Sequence, residues 1–159
     1  MQKNKESNWE MINKQLEALL ASERDMIANM ANAAALLYNS LNDVNWAGFY
    51  IFKNEELILG PFQGLPACVR ISLGKGVCGN AALDRKVYLL DDVHTFPGHI
   101  ACDQASNSEI VLPLVSDDRL IAVLDIDSPI KKRFDDIDRQ GLEKFVDIFI
   151  KQTCFKNIF

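Results

Sequence analysis

An α/β (α+β) sandwich is the fold this sequence predicts. About six mostly antiparallel strands are expected, with N- and C-terminal helices on one sheet face and a ligand pocket on the other. Three observations lead there. Apolar residues recur at three-to-four spacing over residues 8–41 and again after Asp135. Aromatic and β-branched runs joined by short polar turns fill residues 46–126. Amphipathic helices at both ends must bury an apolar stripe, and one face of an antiparallel sheet is the natural place for it.

Residues 8–20 read as a helix with Leu16, Leu19 and Leu20 on one side. Ser22 reads as the N-cap of a second helix, with Glu23 and Asp25 in its first turn. That helix carries Met26, Ile27, Met30, Ala33, Ala34 and Leu37 at helical spacing and is expected to end near Leu41. Trp46 to Phe52 reads as a strand. Lys53-Asn54-Glu55-Glu56 turns it back into a strand starting at Leu57, a hairpin. Val69 to Ile71 is a third strand. The Gly74-Lys75-Gly76-Val77-Cys78-Gly79 turn leads into a short helix through Leu83, and Val87 to Leu90 is the fourth strand. Asp91 to Ser108 is a long loop, of the kind that often carries function. Glu109 to Leu114 and Leu120 to Ile126 are two further strands, joined at Ser116-Asp117-Asp118. Asp135 or Asp136 caps a last helix with Ile137, Leu142, Phe145, Val146 and Phe149 on its apolar side. Without repeats or a linker, residues 1–159 are expected to form one domain.

The chain has 159 residues, 48% hydrophobic and 25% charged, with a net charge of −5. That balance suits one sizeable core. An acidic chain gains nothing from a phosphate backbone or an anionic membrane surface, so neither nucleic acid nor membrane is an expected partner. The polar start, MQKNKESNWEMINKQ, is no secretory signal, and no run approaches the ~20 apolar residues of a membrane span. A cytoplasmic location is expected. In a reducing compartment the four cysteines read as catalytic, redox-active, metal-binding or buried rather than as permanent disulfides.

Those cysteines are Cys68, Cys78, Cys102 and Cys154. No C-x-x-C pair exists, and the structural zinc spacing is missing. A looser metal site from Cys102, His94 and His99 is an alternative. Cys102 lies in the long loop, where a thiol can be reached and His99 is near in sequence. Taken alone, it reads first as a buried structural cysteine, the usual fate of a free thiol. Cys154 is placed in the last helix, where burial fits. Asp125 and Asp127 share one strand face, with Leu124 and Ile126 on the other. With Glu109 they could hold an ammonium group or a hard cation; a solvated outer face is the plainer reading. The glycine-rich turn lacks the full phosphate-binding patterns and reads as tight geometry. Trp46, Gly48 and Tyr50 share a strand face and suit either core packing or a pocket wall. A strand glycine marks close approach by a ligand or by backbone.

Several long motifs resemble the free methionine-(R)-sulfoxide reductases. They are Gly60-Pro61-Phe62-Gln63-Gly64, Pro66-Ala67-Cys68-Val69-Arg70-Ile71, Gly74-Lys75-Gly76-Val77-Cys78-Gly79 and, most specific, Asp92-Val93-His94-Thr95-Phe96-Pro97-Gly98-His99-Ile100-Ala101-Cys102-Asp103. The likeness continues through Ala105 to Val111 and runs from about Trp46 to Asp127. It implies a GAF-like fold, thiol-dependent reduction of free methionine sulfoxide, and a homodimer. It also implies roles: Cys102 as nucleophile, Cys68 as resolving cysteine, Cys78 as an auxiliary one. Glu109, Asp125 and Asp127 would surround the substrate, with Trp46 and Tyr50 at its methyl group. No cofactor or metal is implied; an external dithiol such as thioredoxin would supply the electrons. The alternative is a non-catalytic GAF sensor of a small molecule.

Overall fold

The computed structural model describes residues 1–99 and 105–156. Helices α1 (Gln2–Leu20) and α2 (Met26–Ser40) precede strands β1 (Trp46–Lys53), β2 (Glu56–Gly64) and β3 (Arg70–Ser72). Helix α3 (Gly76–Asp84), β4 (Tyr88–Leu90), a 3-10 turn at Val93–Thr95, β5 (Ser108–Ser116), β6 (Arg119–Ser128) and α4 (Asp136–Gln152) follow. The strands form one six-stranded sheet in the order β3-β2-β1-β6-β5-β4, antiparallel throughout. Among the described residues no helix is long and apolar enough to cross a membrane.

The helix ends depart from the sequence expectations for tertiary reasons. Helix α1 begins at Gln2 because its polar first turns are held by the start of α4. Lys5 Nζ reaches Asp135 at 2.8 Å and Asp138 at 2.6 Å, and Trp9 Nε1 donates to Asp138 at 3.1 Å. Asp25, not Ser22, caps α2: its carboxylate accepts from the Ala28 amide at 2.9 Å. Glu23 takes the amides of Arg24 and Asp25, so those residues form the turn before the helix. Asp135 caps α4 in a reciprocal capping box with Asp138. Cys154 lies beyond the end of α4 and is exposed, against the expectation of burial.

Alternation along the strands divides the core in two. Ala47, Phe49, Ile110, Leu112, Ala122, Leu124 and Ile126 face α1, α2 and α4, where Phe49 stacks on Phe149 at 5.3 Å. The opposite face carries Trp46, Tyr50, Val111 and Val123, covered by α3 through Val77, Ala81 and Ala82. Gly48 sits at a bulge in the β1–β2 pairing. A Cβ there would stand 2.3 Å from Phe62 Cβ and 2.7 Å from its Cα. The neighbouring strand is therefore what approaches this glycine.

Candidate functional site

Register assembles the site. On β5 and β6, Glu109 lies opposite Asp127; on β6 and β1, Asp127 lies opposite Trp46. Two pairs further along, and so on the same face, Asp125 lies between Val111 and Gly48. The three acids thus occupy successive same-face rungs of two neighbouring strands on the face away from the three long helices. The glycine-rich turn lays α3 across them. Gly74 and Gly76 adopt positive φ of 76° and 61°, and a Cβ on Gly79 would meet Ser72 O at 2.4 Å. These glycines provide tight geometry, and its product is Cys78 buried against the acids.

A cavity of about 50 Å³ lies between sheet and α3, with Trp46, Tyr50, Cys78, Glu109, Asp125 and Asp127 in its wall. That is room for roughly three to five water molecules. Glu109 is 5% and Asp125 6% exposed, whereas Asp127 is half-buried. Trp46 and Tyr50 stack at 5.9 Å, and both polar tips are occupied. Trp46 Nε1 donates to Leu65 O at 3.2 Å and Tyr50 Oη to Cys68 O at 2.9 Å. The two rings are thereby fixed as an apolar wall beside the acids.

Burial without a cation dominates the electrostatics. Desolvation, then the charges of Asp125 and Asp127, push the Glu109 carboxyl well above the ordinary carboxylate range. Asp125 is pushed up to about 6 by desolvation, partly offset by hydrogen bonding to Glu109 and Cys78. Cys78 Sγ lies 3.9 Å from Glu109 Oε1; burial and the same acids raise its thiol. His99 Nε2 is 3.8 Å from Glu109 Oε2, and desolvation lowers the imidazole below its usual range. Such a cluster is costly to ionise, and a cation facing it would offset that cost. A ligand ammonium is a cation of the right size.

Six sequence-expected residues, Trp46, Tyr50, Cys78, Glu109, Asp125 and Asp127, meet in this cavity. Cys68 sits beside it, half-buried and disulfide-bonded, while Cys78 and Cys154 are free thiols. Cys102 lies outside the described residues. The looser metal grouping finds no support from His94, which is exposed and bound to Asp92 at 2.7 Å. Sequence reasoning missed Lys75, Pro66 and Ser106 in the lining. Each had a signal in its place within a quoted motif, Lys75 in the glycine-rich turn, Pro66 before Cys68 and Ser106 in the stretch leading to Glu109.

The chain matches the GAF domain family over residues 15–150, which defines its class. It is 58% identical over 150 residues to Protein YtsP of Bacillus subtilis, covering 93% of this chain and 92% of that one. It is 54% identical to the free methionine-R-sulfoxide reductase of Escherichia coli, covering 90% and 87%. The substrate-complex structure of fRMsr of Staphylococcus aureus superposes with a TM-score of 0.88 at 52% identity, covering 91% and 95%. The chain belongs to the free methionine-R-sulfoxide reductase family.

Proposed function

We propose that this protein reduces free L-methionine (R)-sulfoxide to methionine by thiol chemistry, with no resident cofactor, in a reducing compartment such as the cytoplasm. The observation that carries this reading is the buried carboxylate cluster beside a fixed aromatic wall. The E. coli relative's name and the substrate complex of the S. aureus relative support it. Asp127 and Glu109 receive the substrate ammonium, and Lys75, at the rim, is a partner for its carboxylate. Trp46 and Tyr50 receive the S-methyl group.

Cys102 is the nucleophile in this reading. Its thiolate attacks the sulfoxide sulfur while Asp125 protonates the oxygen; a carboxyl near 6 suits that role. The oxygen passes to the cysteine: the substrate sulfur–oxygen bond breaks as a sulfur–oxygen bond forms on Cys102, so methionine leaves and a cysteine sulfenic acid remains. Cys68 condenses with it, releasing water and forming a disulfide, which an external dithiol such as thioredoxin reduces. The disulfide at Cys68 supports a resolving role. The assay follows methionine formation from free (R)-sulfoxide with thioredoxin, its reductase and NADPH. No turnover with any dithiol would overturn the reading and leave a binding module.

A further inference from the structure

Cys78 Sγ, one oxygen of Glu109 and one of Asp125 lie within 4.8 Å of one another, all buried. In a tetrahedral zinc site, with metal–sulfur bonds of about 2.3 Å and metal–oxygen bonds of about 2.1 Å, neighbouring donors stand roughly 3.4–3.6 Å apart. The Cys78–Glu109 separation of 3.9 Å is already close to that. A second observation points to a missing partner. Asp125 is 6% exposed and lines the cavity, yet its Oδ1 has no hydrogen-bond partner among the described residues. A buried carboxylate oxygen left in that condition is costly unless a cation or donor meets it. The space also fits. About 50 Å³ admits an ion with a water or two.

We propose that Cys78, Glu109 and Asp125 form a reversible site for a thiophilic divalent cation, Zn²⁺ above all, with its fourth position open to the cavity. Binding places the ion on the thiolate and the two carboxylates, and the thiol proton and any proton the carboxyls hold leave to solvent. One sulfur and two oxygens in so small a space favour zinc. Calcium takes six to eight oxygens, and magnesium keeps an octahedron of oxygens and water. The ion takes Glu109 from the substrate ammonium and Asp125 from the sulfoxide oxygen, and so inhibits the enzyme competitively. That inhibitory consequence rests on the proposed reductase reading; the binding itself does not.

The test uses Co²⁺ as a spectroscopic probe on the Cys154→Ser protein in its disulfide form, so that Cys78 is the free thiol remaining among the described residues. One Co²⁺ per chain is expected, with a sulfur-to-cobalt charge-transfer band and tetrahedral d–d bands. Zn²⁺ should bleach both, and an equal concentration of Mg²⁺ or Ca²⁺ should not. Asp125→Asn should weaken binding by more than the roughly ten- to hundred-fold that loss of an outer-shell partner costs. Cys78→Ser should abolish the sulfur band. The unsubstituted protein carries its own check, because methionine sulfoxide should displace the cobalt. No cobalt band, or a band that survives Cys78→Ser, would overturn the site. Methionine formation in metal-free buffer is read separately. Turnover without metal binding overturns only the site, and metal binding without turnover overturns only the reductase reading.

Discussion

Asp125 owes its chemistry to its neighbours across the strands. Burial on the strand face between Gly48 and Val111 desolvates it, so its carboxyl rises to about 6. A carboxyl raised in the folded state favours folding when protonated. That contribution is full below the unfolded value near 3.8 and is lost as pH rises through about 6. The shift corresponds to about 3 kcal/mol at neutral pH. Asp125→Asn removes the burden, so it should unfold at a higher temperature than the unsubstituted protein in metal-free buffer. The gap should open between pH 4 and 6 and stay level above that, while reductase activity falls at least tenfold. Thermal melts across that range check it; a gap that narrows as pH rises would contradict the argument. Cys68 makes a separate prediction. Cys68→Ser should leave a single turnover, read as methionine released per chain, and reduce thioredoxin-driven cycling tenfold or more. The identities of these residues were legible in the sequence. Their burial was not, because strand alternation puts the acids on one face without saying what covers it. Asp125 and Asp127 would read the same on a solvated edge. It is α3, placed by Gly74, Gly76 and Gly79, that makes the difference.

Elements follow the same division between what is local and what is not. Helical and strand periods located α2, β1, β5, β6 and α4 closely, since those segments are long and alternate cleanly. The start of α1 and the cap of α2 were misplaced because distant side chains decide them. Lys5 and Trp9 answer to Asp138 on α4, a residue with no sequence mark of that role. Arg133 joins the same carboxylate at 3.2 Å, so the N-terminus of α4 is the clamp for α1. Gly141, inside α4, shows how tight that contact is: a Cβ there would stand 2.3 Å from the Trp9 ring. Replacing a helical glycine by alanine gains about 1 kcal/mol of helix propensity. Forcing a methyl into a rigid, buried ring costs roughly 1–3 kcal/mol, and at this distance the upper part of that range applies. Gly141→Ala should therefore destabilise by about 1–2 kcal/mol and lower Tm by roughly 2–8 °C. Calorimetry reads this directly; a raised Tm would show that the helix shifts aside without loss.

At the level of the molecule, one sheet serves two solvents. Its helix-covered face is an ordinary apolar core, and its other face encloses charge. Three acids gathered on one face, two of them buried, are costly to ionise together, and a bound cation would offset that cost. A free amino acid brings an ammonium; a peptide-bound or N-acetylated methionine sulfoxide brings a neutral amide. Against a neutral amide the carboxylates remain uncompensated, or must keep protons and give up the attraction. Leaving one member of a buried charge pair alone costs about 3–5 kcal/mol, which is on the order of a hundred- to several-thousand-fold in affinity. Sterics work in the same direction: an acetyl group on the nitrogen would have to enter the space between Glu109 and Asp127, which lie directly opposite in register. The free (R)-sulfoxide should therefore exceed its N-acetyl derivative in kcat/KM by at least about a hundredfold. Glu109→Gln should narrow that ratio by lowering the rate on the free substrate while leaving the poor rate on the acetylated one nearly unchanged. Competition assays with both substrates and both proteins measure the four constants. Equal kcat/KM for the two substrates in the unsubstituted protein would mean that the carboxylates do not read the amino group. An unchanged ratio in Glu109→Gln would assign the discrimination to Asp125 and Asp127 instead.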